Sequence, residues 1–116
     1  MRNFIRSVKA LSDETRVRIL NLVLQRECCV CEVIELLDIS QTRASRNLGM
    51  LYDVGFLKHR RDGLWSHYSI DIEGMEQYHL ELIKSVKTAL KGNQITGLDL
   101  KRLKQMETKV GTCSNK

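Results

Sequence analysis

A mainly α-helical chain carrying one small β-hairpin is what the sequence predicts, and three observations carry that expectation. Apolar residues recur at helical spacing in five successive segments. Ser12-Asp13, Asp38-Ile39-Ser40 and Gly55 punctuate them with the residue types that start and stop helices. After Gly55 the period changes. Phe56 to Arg60 and Leu64 to Ile70 are rich in aromatic and β-branched residues and flank Arg61-Asp62-Gly63, where Asp-Gly is a hairpin turn signal. The chain has 116 residues, enough for a single core, and no proline, so glycines and caps supply all the punctuation.

Taken in order, Phe4, Ile5, Val8 and Leu11 mark a first helix, and Ser12-Asp13 cap a second running from about Glu14 to Gln25. Val33, Ile34, Leu36 and Leu37 mark a short third helix. Ser40 caps a fourth that extends to about Val54, where Gly55 accepts a left-handed conformation. In this fourth helix Ala44, Leu48 and Leu51 form the inward stripe, and Gln41, Thr42, Ser45 and Arg46 share the opposite side. Two closely joined helices followed by a hairpin with Lys58, Arg60 and Arg61 near its tip make a winged helix-turn-helix. A fifth helix, roughly 74–91, carries Met75, Tyr78, Leu82, Val86 and Leu90 in line. The first and fifth helices are both too apolar for one small core to cover, so a two-fold homodimer is expected. Residues 1–92 are read as the DNA-binding and dimerisation domain. Residues 93–116 are read as an extension, with a short helix over 99–106 and a disordered tail carrying Cys113.

Lys plus Arg exceed Asp plus Glu by 19 to 14, a net charge of +5 concentrated at Lys58 to Arg61 and after Lys101, which favours a polyanionic partner. No export signal or membrane span is visible, so a cytoplasmic location is expected. No catalytic residue is assigned, and binding rather than catalysis is the reading. Three of the four cysteines crowd into Glu27-Cys28-Cys29-Val30-Cys31-Glu32. In a reducing compartment these are ligands or reactive groups before they are a disulfide framework. His79 reads as a surface residue.

The segments K-A-L-S-D-E-T-R-V-R-I-L (9–20), C-V-C-E (29–32), S-Q-T-R-A-S-R-N-L (40–48), L-Y-D-V-G-F-L (51–57) and G-L-W-S-H-Y-S-I (63–70) together resemble the ArsR/SmtB family of metal-responsive transcriptional repressors. The resemblance covers about Val8 to Leu90. It implies a homodimer that leaves its operator when a metal or metalloid ion binds, with Cys29 and Cys31 as thiolate ligands. Cys28 or Cys113 would supply the third, because Ile34 stands where the arsenic-responsive branch often has another cysteine. No cysteine precedes Cys28, unlike the cadmium/lead branch, and Glu76 and His79 are a poor remnant of the zinc and nickel pattern.

Thiolates select thiophilic ions. The resemblance implies that three of them suit As(III) or Sb(III) as inducer, and Cd(II), Pb(II) or Zn(II) are the alternative, with four sulfurs suiting Zn(II) or Cd(II). On a regular helix Cys29 and Cys31 stand about 200° apart, whereas Cys28 and Cys31, three residues apart, share a face. Chelation is therefore expected to require an irregular helix start, in conflict with steadying the helix that reads DNA. For operator duplex the candidates are Gln41, Thr42, Ser45 and Arg46 in the major groove, with Arg43, Arg60 and Arg61 on phosphates. A thiol-redox switch at Cys29 and Cys31 is the rival from another class. The flanking Glu27 and Glu32 weigh against it by disfavouring thiolates. A zinc-stabilised structural module is a third alternative.

Overall fold

Asp13 opens the second helix by accepting the Arg16 backbone N–H at 3.0 Å, and Ser40 opens the fourth by accepting the Arg43 N–H at 3.1 Å. These caps sit in a computed structural model that describes residues 1–107; the expected disordered tail and Cys113 lie outside the described residues. The elements are α1 (Arg2–Ala10), α2 (Glu14–Gln25), β1 (Cys28–Cys29), α3 (Val30–Leu37), α4 (Gln41–Asp53), β2 (Leu57–Asp62), β3 (Trp65–Ile70), α5 (Gln77–Leu90) and α6 (Gln94–Glu107).

Asp38, in the left-handed region at φ 53°, turns the chain out of α3. Helix α4 closes in a Schellman arrangement: the Gly55 N–H donates to the Tyr52 carbonyl and the Phe56 N–H to that of Leu51, both at 3.1 Å. Gly55 has φ +97°, and Phe56 and Leu51 are both fully buried, so the motif anchors the wing as it stops the helix. Strands β2 and β3 pair antiparallel from Leu57↔Ile70 to Asp62↔Trp65. That leaves Gly63-Leu64 as the two-residue loop, with Gly63 at φ +63°. The turn thus falls later than expected, because pairing continues through Arg61 and Asp62. Strand β1 was not expected. Two residues are too few to show a period, yet they pair with β3 and complete a sheet ordered β1-β3-β2.

Ile19, Leu20, Leu22, Val33, Ala44, Leu48, Leu51 and Phe56 fill the core. The winged helix-turn-helix is therefore built as the pattern of caps and stripes predicts. Helix α6 is longer than the short helix expected over 99–106, and it packs on α2 and α3. Its buried face is Thr96, Asp99, Leu103 and Met106, at spacings of three and four. Asp99 receives both arms of the Arg18 guanidinium at 2.9 Å, a polar anchor in an otherwise apolar contact. Helices α1 and α5 pack together through Phe4 and Tyr78, whose rings meet edge-on at 5.5 Å. Phe4, Ile5, Val8 and Leu80 remain about 40% exposed, leaving an apolar surface across the two helices.

Candidate thiol site and nucleic-acid face

The cysteine cluster is divided by the pleat. Successive residues of a strand point to opposite faces. Cys28, opposite Tyr68, enters the apolar core with its thiol 3.5 Å from the Arg26 carbonyl, and Cys29, opposite His67, faces the other way. The chain turns into α3 at Val30, so Cys29 is the N-cap, extended at φ −88° and ψ 161°, while Cys31 lies in the first helical turn. Their Cα atoms are 5.4 Å apart and the two sulfurs are joined as a disulfide.

Two expectations are corrected by this geometry. The angular separation of Cys29 and Cys31 assumed that both belong to the helix; because Cys29 precedes it, their sulfurs meet while α3 begins regularly. Cys28 does not share a face with Cys31. Among the described residues, no three His, Cys, Asp or Glu side chains converge as a ready metal site. Among the described residues, Cys29 and Cys31 could together offer two sulfurs to an ion when reduced.

The acidic flanks are also not as expected. Glu32 accepts the Cys29 N–H at 2.9 Å as the return half of a capping box, and its two oxygens take the Arg26 guanidinium at 2.8 and 3.1 Å. Glu27 takes the Arg60 guanidinium at 2.7 and 2.9 Å. The Arg60 hydrogen bonds, opposed by partial burial, hold the Glu27 carboxyl below its usual range. Each carboxylate is thus matched by an arginine, and the sulfurs sit at the positive end of α3. Arg26 and Arg60 thus balance the charge of the two acidic flanks.

On α4, Gln41, Thr42, Arg43, Ser45 and Arg46 are exposed, and Ala44, Leu48 and Leu51 have no exposed surface. The Arg43 guanidinium donates to the Thr15 hydroxyl at 3.1 Å, tying α4 to α2. Arg60 and Arg61 lie on the exposed strand β2, one residue apart. A cavity of about 240 Å³ separates the thiol site from this face. It is walled by Val30, Cys31 and Ile34 of α3, by Gln41 and Ser45 of α4, and by Leu64 to Ser66 of the hairpin. Cys31 and two of the predicted base-reading residues, Gln41 and Ser45, therefore line one space.

His79 is not a surface residue. It is 4% exposed, its Nδ1 accepts the Glu76 N–H at 3.0 Å, and its Nε2 therefore carries the proton donated to the Val54 carbonyl at 2.7 Å. Sequence reasoning missed this and the Arg26–Glu32, Arg60–Glu27 and Arg18–Asp99 pairs. The last two join residues 33 and 81 apart, which no local spacing signals.

Residues 13–59 match the model of the bacterial regulatory protein arsR family. The chain is 31% identical over 74 residues to the arsenical resistance operon repressor of Bacillus subtilis, covering 63% of this chain and 70% of that one. The chain belongs to the arsR family. It is also 41% identical over 70 residues to a cadmium resistance transcriptional regulatory protein CadC homolog of Staphylococcus aureus, covering 60% of this chain and 58% of the relative. The matched region spans between 54% and 60% of the length of several curated relatives. Among solved structures, a homodimeric winged helix-turn-helix DNA-binding domain from Mycobacterium bovis, described as a possible ArsR-family transcriptional regulator, superposes with a TM-score of 0.65 at 27% identity. It covers 80% of this chain and 82% of that one. No helix of the described residues in this arsR-family chain is long and apolar enough to cross a membrane.

Proposed function

We propose that this arsR-family protein is a homodimeric transcriptional repressor that binds operator duplex through α4 and the wing. It releases the duplex when As(III) or Sb(III) is captured by the Cys29 and Cys31 thiolates. One observation carries the reading: Cys31 lines the same cavity as Gln41 and Ser45. Arsenous acid condensing with two thiols forms two As–S bonds and releases two waters. The ion must lie between sulfurs that touch when oxidised, so capture separates the α3 start from the β1 end and alters the cavity wall shared with α4. Coupling is then reciprocal: operator weakens ion binding as much as the ion weakens operator binding, and about 3 kcal/mol changes occupancy over a hundredfold. Cys28 serves as third ligand only if β1 leaves β3, and Cys113 of the tail is the other candidate. The apolar surface of α1 and α5 is the proposed dimer face. Cd(II), Pb(II) and Zn(II) are the competing inducers, and the named relatives divide between arsenic and cadmium resistance.

The deciding experiment selects operator from a random duplex library and titrates arsenite, antimonite, Cd(II), Pb(II) and Zn(II) against the complex under reducing conditions. Release by the trivalent ions at the lowest concentration supports the reading; release by none refutes it.

The disulfide, with Arg26 and Arg60 beside the acidic flanks, favours a second reading in which thiol oxidation is the signal. Two thiols and a hydroperoxide give the disulfide, an alcohol and water. Operator release by hydroperoxide with chelator present, reversed by dithiothreitol, supports it.

A further inference from the structure

The Arg60–Glu27 pair joins the wing to the segment that leads into the thiol site, and its geometry is that of phosphate recognition. The two guanidinium nitrogens Nε and Nη2 lie 2.9 and 2.7 Å from the two carboxylate oxygens, the fork arrangement with which arginine also takes a phosphodiester. Arg60 is 55% exposed and Glu27 34%, so the pair lies at the surface, where a polyanion can reach it. In register, Cys29, His67 and Arg60 form one row across the sheet, and paired residues project to the same face. Glu27 therefore reaches Arg60 alongside Cys29.

We propose that Arg60 marks a phosphodiester-binding position on the wing and that Glu27 occupies it in the DNA-free protein as a carboxylate surrogate. The proposal rests on the operator-binding reading and adds to it a residue that opposes DNA. On duplex, the guanidinium exchanges Glu27 for a backbone phosphate. The carboxylate it leaves becomes hydrated and attracts a cation, which offsets part of the counterion release that drives binding. Glu27 thus lowers affinity for any duplex, whatever its sequence, and leaves discrimination to α4. The exchange costs little, because an exposed ion pair is weak.

The test uses the full chain and a fluorescein-labelled random-sequence duplex at graded salt, with thermal unfolding to confirm that each variant folds. Glu27→Gln is expected to tighten binding about two- to fivefold, the size of a surface pair, and to steepen the salt dependence by up to about 0.9 in log–log slope. In an Arg60→Gln background the same substitution has a smaller effect, so the two changes are coupled. The Arg60 Nε–Hε resonance of the wild-type protein is expected to shift on saturation with duplex. Additive effects of the two substitutions, or an unmoved resonance at saturation, overturn the exchange while leaving DNA binding intact. A wild-type protein that binds no duplex at low salt overturns the operator-binding reading as well.

Discussion

The Nε2 of His79 donates to the carbonyl of Val54 at 2.7 Å, linking α5 to the residue that closes α4. The Ser7 hydroxyl of α1 lies 3.5 Å from the same nitrogen, and a Cβ on Gly55 would stand 3.0 Å from it. Helix α4, the proposed DNA-reading helix, is thereby fixed to both helices of the proposed dimer face. His79→Ala should remove this bond and leave a cavity, lowering stability by about 2–4 kcal/mol. Urea unfolding at fixed protein concentration measures it, since dimerisation makes stability concentration-dependent.

Asp99 is 1% exposed and binds Arg18 through both oxygens. Asp99→Ala leaves the partly buried guanidinium without its carboxylate and is expected to cost about 2–4 kcal/mol, somewhat below the range for a fully buried pair. The double change Asp99→Leu with Arg18→Met should recover most of that loss, because matched apolar residues replace buried ion pairs at little cost. Failure of the double variant to recover would show that α6 needs the charge to dock.

Cys29→Ser and Cys31→Ser should leave operator binding within about twofold while abolishing release by arsenite, since serine caps α3 at least as well as cysteine. Loss of DNA binding in the absence of any ion would count against the thiols as the sensor. Cys28→Ser should act differently, because its thiol is in the core: a loss of about 1–2 kcal/mol in stability with the arsenic–sulfur coordination number unchanged by X-ray absorption. Cys113→Ser tests the tail thiol by the same measurement.

The Glu27 carboxyl lies below its ordinary value of 4.5 in the folded protein because of Arg60. A depressed carboxyl stabilises the fold above its unfolded pKa, and that contribution disappears as pH falls through the folded value. Wild type should therefore exceed Glu27→Gln in stability near pH 7 by less than about 1 kcal/mol, given the exposure of the pair. The two curves should converge as pH falls below the ordinary carboxyl value of 4.5. A constant difference across that window would assign the effect to packing instead.

Much of the fold is visible in local patterns. Asp13 and Ser40 announce their helices by side-chain chemistry, and Gly55 announces the end of α4 by its backbone freedom, so short windows suffice. Strand β1 escapes such reading because its two residues exist as a strand only through pairing with Tyr68 and His67. The relation of Cys29 to Cys31 then follows from β1: a helical phase separates them, whereas an N-cap position brings them together. His79 was misread because a polar side chain near a helix start resembles a surface residue until the carbonyl of Val54 is brought to it. The exposure of Gln41, Thr42, Ser45 and Arg46 on one side of α4 was legible because it needed only the angular distribution of one helix.

On the proposed sensing role, the position of Cys29 at the threshold of α3 separates the choice of ligand from the stability of the helix. Aspartate, asparagine, serine and threonine all serve well at an N-cap. Exchanging sulfur for oxygen at this single position would weaken the preference for soft ions while keeping the helix start intact. The proposed sensor chemistry can therefore diversify in this architecture without rebuilding the winged helix-turn-helix beside it.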